Sequence, residues 1–224
     1  MARLTAIGLV IGAVLITASC SDKVEPAVDG AVSPLPPTDA AGVLARAQAT
    51  IDAAGGYHVE MSGHNFVLPQ WGGVESVAID VGKQGTSASA RVTRTGDGVY
   101  SVVLIDGQTF FKRETCSTWT RVPGGAPAVL EPFLWNRTGL LRRATGAVIE
   151  ANTGDTLVVR ATLPGIGEAS VEVEAKSGRP LRLVRPAGPA GDQMTWTFSD
   201  WGKAPSVTKP SGNIPDRGPG GNPC

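Results

Sequence analysis

The run TLVVRATL at residues 156–163 and the run ASVEVEA at residues 169–175 alternate apolar and polar side chains. In the first run an apolar residue recurs at every second position from Leu157 to Leu163, and in the second Val171 and Val173 alternate with glutamates. A period of two is typical of a β-strand with one buried face and one face in water. The link between the runs contains Gly165 and Gly167, so the stretch predicts an antiparallel hairpin.

The same period recurs along most of the chain. Further alternating runs lie at 57–67, 74–81, 87–95, 99–105, 109–113 and 119–122, and again at 181–185 and 193–199. Gly96-Asp97-Gly98 and Asp106-Gly107 separate neighbouring runs and are strong hairpin signals. Because links this short join only antiparallel neighbours, the runs predict a long antiparallel meander, and a sheet of that length tends to coil.

Two stretches with helical features accompany the strands. The first can be capped by Thr38 or Asp39 and ends at Gly55-Gly56. The second begins at Pro127 and interrupts the strands with Val129, Leu130, Phe133, Leu134 and Trp135, then Leu140-Leu141. We therefore expect an α+β fold in which a coiled antiparallel sheet is covered on its apolar side by a few helices. Since helices are few for so many strands, we expect an incompletely filled concave face.

The N-terminus has the features of an export signal. Arg3 precedes an apolar run, residues 4–18, which is too short to span a bilayer comfortably, and Ser19 then precedes Cys20. This arrangement resembles a bacterial lipoprotein signal, in which residues 1–19 are removed and the cysteine carries acyl chains such as palmitate. An ordinary signal peptide with an incidental cysteine is the alternative, because Thr17 stands where the usual lipobox has Leu.

The anchor determines the expected location. One acyl chain holds a protein only marginally, whereas two or three hold it durably. We therefore expect the protein to be lipid-anchored on the cell membrane, facing the cell exterior or periplasm.

Composition limits the function and divides the chain. The sequence is 42% hydrophobic and 18% charged, as in a soluble globular domain, and its 20 Lys+Arg balance 20 Asp+Glu, which leaves no basic surplus to bind nucleic acid. Residues 20–37 are predicted to be a disordered tether and residues 38–210 the folded domain. Residues 211–224 are predicted to be a flexible Pro/Gly-rich tail, because they cannot bury enough apolar surface to become ordered.

The cysteines allow one pairing if Cys20 is acylated. Cys116 and Cys224 then remain, and an exported protein lies where disulfides persist. We predict a Cys116–Cys224 disulfide, with two free thiols as the equally weighted alternative.

Catalytic and metal sites are not expected. The chain has no Gly-x-Ser-x-Gly elbow, no Walker-type loop and no Cys-x-x-Cys. His58 and His64 share one strand face with Glu60 and Ser62, but at ~3.3 Å per residue they lie about 20 Å apart, too far to bind one ion. We therefore expect a protein that is not an enzyme and has no cofactor.

Three short motifs, in order, resemble the mycobacterial LppX/LprAFG lipoproteins. They are a strand beginning at 57–59 after an Ala-rich helix, a strand pair joined by Asp106-Gly107, and a strand ending in Asp200-Trp201-Gly202 that leads to Val207-Thr208. The likeness covers about 38–210. It implies a half-barrel sheet wrapped over helices, similar to the LolA-like carriers of Gram-negative bacteria, with a hydrophobic cavity for acylated lipids or glycolipids in transit through the envelope.

The resemblance makes inward apolar residues candidates for lining such a cavity, although ordinary core is the competing interpretation for each. The candidates are Met61, Ile79, Ala90, Val92, Val103, Leu130, Phe133, Leu134, Leu157, Val159, Val173 and Met194. The favoured hypothesis is a membrane-anchored lipid carrier whose partners are acylated lipid and an envelope transporter. The alternative is a lipid-anchored interaction module with a filled core, which presents its loops to an envelope protein.

Overall fold

The computed structural model describes residues 39–68, 72–122, 130–188 and 191–216. The strands are β1 (Gly56–Leu68), β2 (Gly72–Gly82), β3 (Ala88–Arg94), β4 (Gly98–Ile105), β5 (Gln108–Arg113), β6 (Thr120–Arg121), β7 (Thr145–Asn152), β8 (Thr156–Leu163), β9 (Gly167–Glu174), β10 (Pro180–Arg185) and β11 (Gln193–Ser199). The helices are α1 (Ala40–Ala53) and α2 (Trp135–Thr138), with short 3₁₀ turns at Lys83–Gly85, Glu131–Phe133 and Leu141–Arg143. In the described ranges, no helix has the length and apolar content that a membrane span needs.

The strands form one open antiparallel sheet of 11 strands in the order β6-β5-β4-β3-β2-β1-β11-β10-β9-β8-β7. Every neighbouring pair but one is consecutive in the chain, as the hairpin signals predict. The exception joins β1 to β11, with Met61 opposite Trp196. The predicted α+β class, a curled antiparallel sheet with few helices, is therefore confirmed, and its two edges are β6 and β7.

Helix α1 packs its apolar stripe against the inner face of the sheet. Its N-terminus is capped by Asp39, whose Oδ1 accepts a hydrogen bond of 2.9 Å from the Gly42 N–H, and Thr38 lies outside the described residues. Val43, Leu44 and Ile51 are all at most 2% exposed. The helix ends at Ala53, and at Gly56, where β1 begins, a Cβ would lie 2.2 Å from the Lys203 carbonyl oxygen, so only glycine fits there.

The second helical stretch crosses the inner face between β6 and β7. We call its described part, residues 130–144, the insert. The predicted helix is present only as the four-residue α2 and two 3₁₀ turns, while Pro127 and Val129 lie outside the described residues. The insert buries its apolar side chains against the sheet, each at most 5% exposed: Leu130, Phe133, Leu134, Trp135, Leu140 and Leu141.

The chain after β11 continues along one end of the sheet to the β6 edge. Lys209 Nζ lies 3.8 Å from the Asp106 carboxylate, and the Arg121 N–H donates to the Pro215 carbonyl at 2.9 Å. Arg121 also pairs with Asp216 at 2.6 Å, which lowers the pKa of that carboxyl. Pro215 and Asp216 are thus held at β6 by one backbone hydrogen bond and one ion pair, neither of which needs apolar burial. The flexible tail that composition predicts over residues 211–224 stays a prediction.

Candidate functional site

The candidate site is the interior between the inner face of the sheet and the cover made by α1 and the insert. Strand register aligns Val59, Ile79, Ala90 and Val102 across β1 to β4 on this inner face. Each of these four side chains is at most 6% exposed. The apolar positions of the alternating runs therefore meet in one continuous core, as a period of two requires.

The structure brings together all but one of the predicted cavity residues. Those that belong to the single buried cluster are Met61, Ile79, Ala90, Val92, Leu130, Phe133, Leu134, Leu157, Val159, Val173 and Met194. They come from both halves of the sheet and from the insert, so the cluster depends on contacts between segments distant in sequence.

Val103 is the exception, and its assignment to the inner face is wrong. It pairs with Ser89 and Phe110, and that register places it on the outer face of the sheet. Its neighbours Val102 and Leu104 are the inner-face residues of β4, 0% and 1% exposed. Because four consecutive apolar residues, Val102 to Ile105, occupy this strand, alternation alone does not say which of them point inward.

The described interior is tightly packed, since the side chains of its core cluster are at most 7% exposed. A hollow of about 10 Å³, partly open to solvent, lies between α1, β8 and the end of β9. It is lined by Val43, Arg46, Leu157, Val173, Glu174, Ala175 and Gly178. A volume of this size corresponds to about one water molecule and holds no acyl chain. The incompletely filled concave face that we expected is not seen among the described residues, because the bulky insert occupies it.

Buried hydrogen bonds hold the insert to α1 and the sheet. Gln48, 0% exposed, donates from Nε2 to the Trp135 carbonyl at 2.9 Å and accepts at Oε1 from the Leu141 N–H at 3.0 Å. The Tyr57 hydroxyl donates to the Phe133 carbonyl at 3.3 Å. Burial raises the pKa of Tyr57 above its usual range, so the hydroxyl stays protonated and able to donate even in alkaline solution. These polar contacts fix the insert in place over the inner face.

Neither Gln48 nor Tyr57 is among the site residues predicted from the sequence. A signal for Gln48 exists, because it lies four residues after Leu44 and therefore falls within the apolar stripe of α1. A polar residue within such a stripe indicates a buried hydrogen-bonding partner. Tyr57 gives no comparable signal, since an aromatic residue at the start of a strand is common.

An aromatic cluster lies beneath the insert. Trp135 makes an edge contact with Phe198, with ring centroids 4.7 Å apart, and lies 6.4 Å from Trp196. Trp201, from the Asp-Trp-Gly motif, stacks on Tyr57 at 5.5 Å. The motif tryptophan therefore packs the end of β11 against the start of β1, where the two chain halves join.

The histidines lie on the outer face, away from this interior. His58 Nδ1 is 2.7 Å from the Asp80 carboxylate, and His64 is exposed. Among the residues that the structure describes, no group of three or more His, Cys, Asp or Glu side chains is arranged to hold a metal ion.

Comparison with known proteins identifies the fold. No protein-family model and no curated protein sequence matches the chain. Its structure is similar to that of LprF from Mycobacterium bovis, with a TM-score of 0.56 and 18% identity over 77% of this chain and 97% of LprF. It is equally similar to the lipoprotein LppX of Mycobacterium tuberculosis, with a TM-score of 0.56 and 14% identity over 75% of this chain and 97% of LppX. The chain therefore has the LppX/LprAFG-like fold that the ordered motifs predict.

Proposed function

We propose that this chain is an exported lipoprotein, anchored through Cys20, that binds acylated lipids or glycolipids between its sheet and its insert and helps to move them across the cell envelope. The fold supports this proposal, because its inner face presents a continuous apolar surface, part of which is covered by a segment that belongs to no strand. That segment is the insert, whose longest helix has four residues. Because the insert contributes no strand to the sheet, it can leave the inner face without breaking a strand pair.

The packed interior requires the insert to move when lipid binds. In the described state the insert's apolar side chains occupy the surface that an acyl chain would take. Burying a methylene stabilises by about 0.8 kcal/mol in an apolar protein interior as it does in a bilayer. Transfer of an acyl chain from the bilayer to the protein is therefore close to neutral once the apolar side chains of the displaced insert are covered by another apolar surface. Such a balance lets a carrier both load and unload.

The proposal is tested by lipid that co-purifies with protein lacking its anchor. A Cys20→Ala variant, purified without detergent from a lipid-rich host, is expected to carry acylated lipid that mass spectrometry of the extract identifies. The same protein, delipidated with detergent and returned to buffer, serves as the control. Repeated preparations of the folded variant without lipid would overturn the carrier proposal.

A second candidate function is favoured by one observation, the filled interior. A lipid-anchored interaction module would need no cavity and would present the loops at the sheet ends to an envelope protein such as a transporter. The same co-purification experiment distinguishes the two candidate functions. Lipid in the extract supports the carrier, and a lipid-free, stably folded Cys20→Ala protein supports the interaction module.

We also propose that Cys116 and Cys224 form a disulfide. Cys116 is buried, at 8% exposed, in the link between β5 and β6, and Cys224 lies outside the described residues. Asp216 is held at β6 by Arg121, and the remaining residues 217–224 span up to about 26 Å when extended, at ~3.3 Å per residue. The bridge would therefore close a short C-terminal loop against the edge of the sheet.

Thiol labelling under denaturing conditions tests this pairing. The Cys20→Ala protein is expected to react with a maleimide reagent only after reduction, since no other cysteine remains. Equal labelling with and without reductant would show two free thiols instead. A Cys20→Ala/Cys224→Ser variant is the control, and its single thiol is expected to react without reductant.

A further inference from the structure

One buried polar atom beneath the insert has no hydrogen-bond partner. Trp196 lies on the inner face of β11, opposite Met61 of β1 and Leu183 of β10, and is 2% exposed. Its ring centroid is 6.4 Å from that of Trp135 in the insert. The indole Nε1–H, the only polar group of this side chain, finds no acceptor within the described part of the chain.

This situation differs from that of the other buried nitrogens without a partner. Three of them are the Nε atoms of Arg46, Arg94 and Arg113, and the other nitrogens of these arginines are bonded to carbonyls or to Asp97. Trp201 Nε1 also has no partner, but its ring is partly exposed at the end of the sheet. Trp196 is thus the fully buried side chain whose single donor is unused, which is costly and uncommon in an apolar interior.

Two polar side chains under the insert have hydrogen-bond acceptors, whereas Trp196 has none. Gln48 and Tyr57 lie at the same boundary between sheet and insert, and both bond to the backbone of the insert. The insert therefore supplies acceptors to these two residues and none to Trp196. An indole N–H only donates, so a partner for it must bring an oxygen acceptor into the interior.

We propose that Trp196 Nε1–H donates a hydrogen bond to the ester carbonyl of an acylated lipid bound between the sheet and the insert. This inference rests on the proposed lipid-binding function and adds a ligand class to it, namely acyl esters in preference to hydrocarbon chains joined by ether links. An ester carries a carbonyl oxygen next to its acyl chain, so one ligand supplies both the apolar surface and the acceptor. A carboxylate in the same position would carry an unpaired charge into the interior, which is far more costly.

The test compares two lipids that differ only at the linkage. Dioleoylglycerol and its dialkyl ether analogue are titrated into delipidated Cys20→Ala protein, and into the same protein carrying Trp196→Phe or the control Trp201→Phe. We expect about fivefold tighter binding of the diester than of the diether, which corresponds to one net hydrogen bond. Trp196→Phe is expected to abolish this preference and Trp201→Phe to retain it, with the folding of both variants checked by circular dichroism.

A second measurement is made on the protein that keeps Trp196, so it does not require the Trp196→Phe variant to bind lipid. In ¹H–¹⁵N spectra the Trp196 indole resonance, assigned by its loss in Trp196→Phe, is expected to move downfield with the diester and to stay in place with the diether. Equal affinity for the two lipids, or a preference that survives Trp196→Phe, would overturn this inference while leaving the carrier function intact. Failure of both lipids to bind the protein would overturn the carrier function itself.

Discussion

Replacing Trp135 with alanine is expected to lower the free energy of unfolding by about 3–5 kcal/mol, the range found when a large aromatic residue is truncated in a core. Trp135 is 0% exposed and contacts Phe198 and Trp196, so the truncation leaves a void between the insert and the sheet. Denaturant unfolding followed by circular dichroism measures the change. Val67→Ala is the control, because Val67 is 65% exposed and its truncation is expected to change stability by no more than about 0.5 kcal/mol.

The void left by Trp135→Ala is also expected to change the rate of lipid uptake. If the insert covers the lipid-binding surface, its weakened packing is expected to speed the uptake of a fluorescent acyl lipid by the folded variant. A stability loss below about 1 kcal/mol would show that Trp135 is not part of the packed core. Slower uptake by a folded variant would show that the insert does not act as a cover.

Gln48→Met is expected to destabilise the protein by about 2–4 kcal/mol with little change in side-chain volume. The substitution removes the hydrogen bond to the Trp135 carbonyl and leaves the buried Leu141 N–H without its acceptor. A buried donor left unsatisfied costs about 1–3 kcal/mol, in addition to the bonds that are lost. The unfolding midpoint in urea, measured with the slope of the transition, separates this loss from a change in the denatured state.

Arg142→Ala is the matched control for the same junction. Arg142 also joins the insert to α1, through Asp52 at 2.6 Å, but its side chain is 60% exposed. Exposed ion pairs contribute less than about 1 kcal/mol, so this variant is expected to lie close to the parent protein. Equal destabilisation by Gln48→Met and Arg142→Ala would contradict the view that the Gln48 hydrogen bonds stabilise the protein more because they are buried.

Much of the architecture follows from local patterns. The hairpin signals at Gly96-Asp97-Gly98 and Asp106-Gly107 predict which strands are neighbours, and a cap at Thr38 or Asp39 predicts where α1 begins. The period of two assigns most inner-face residues correctly, because a residue and its second neighbour always share a face. It fails at Val103, where an apolar run of four residues leaves two assignments open.

The interior could not be predicted in the same way. Composition suggests a cover too small for so long a sheet, yet the insert fills the inner face with Phe133 and Trp135 and is fixed by Gln48. How fully a few short turns fill the inner face depends on the volumes of side chains from distant segments that pack together. A local sequence pattern does not predict that packing. The alternating pattern likewise predicts that Trp196 points inward, but only the tertiary structure shows that its indole N–H lacks an acceptor.

The amino-acid sequence by itself determined ten of the eleven strands, their antiparallel order within each hairpin run and the helix α1, because these depend on backbone preferences and on periods shorter than a dozen residues. It did not predict β7 (Thr145–Asn152), whose run TGAVIEAN lacks a strict alternation. The tertiary structure alone decided the β1–β11 pairing, the contact of Pro215 and Asp216 with β6 and the filled interior. Each of these joins segments that are far apart along the chain. Such contacts are selected by the packing and hydrogen bonding of the whole core rather than by any one stretch of residues.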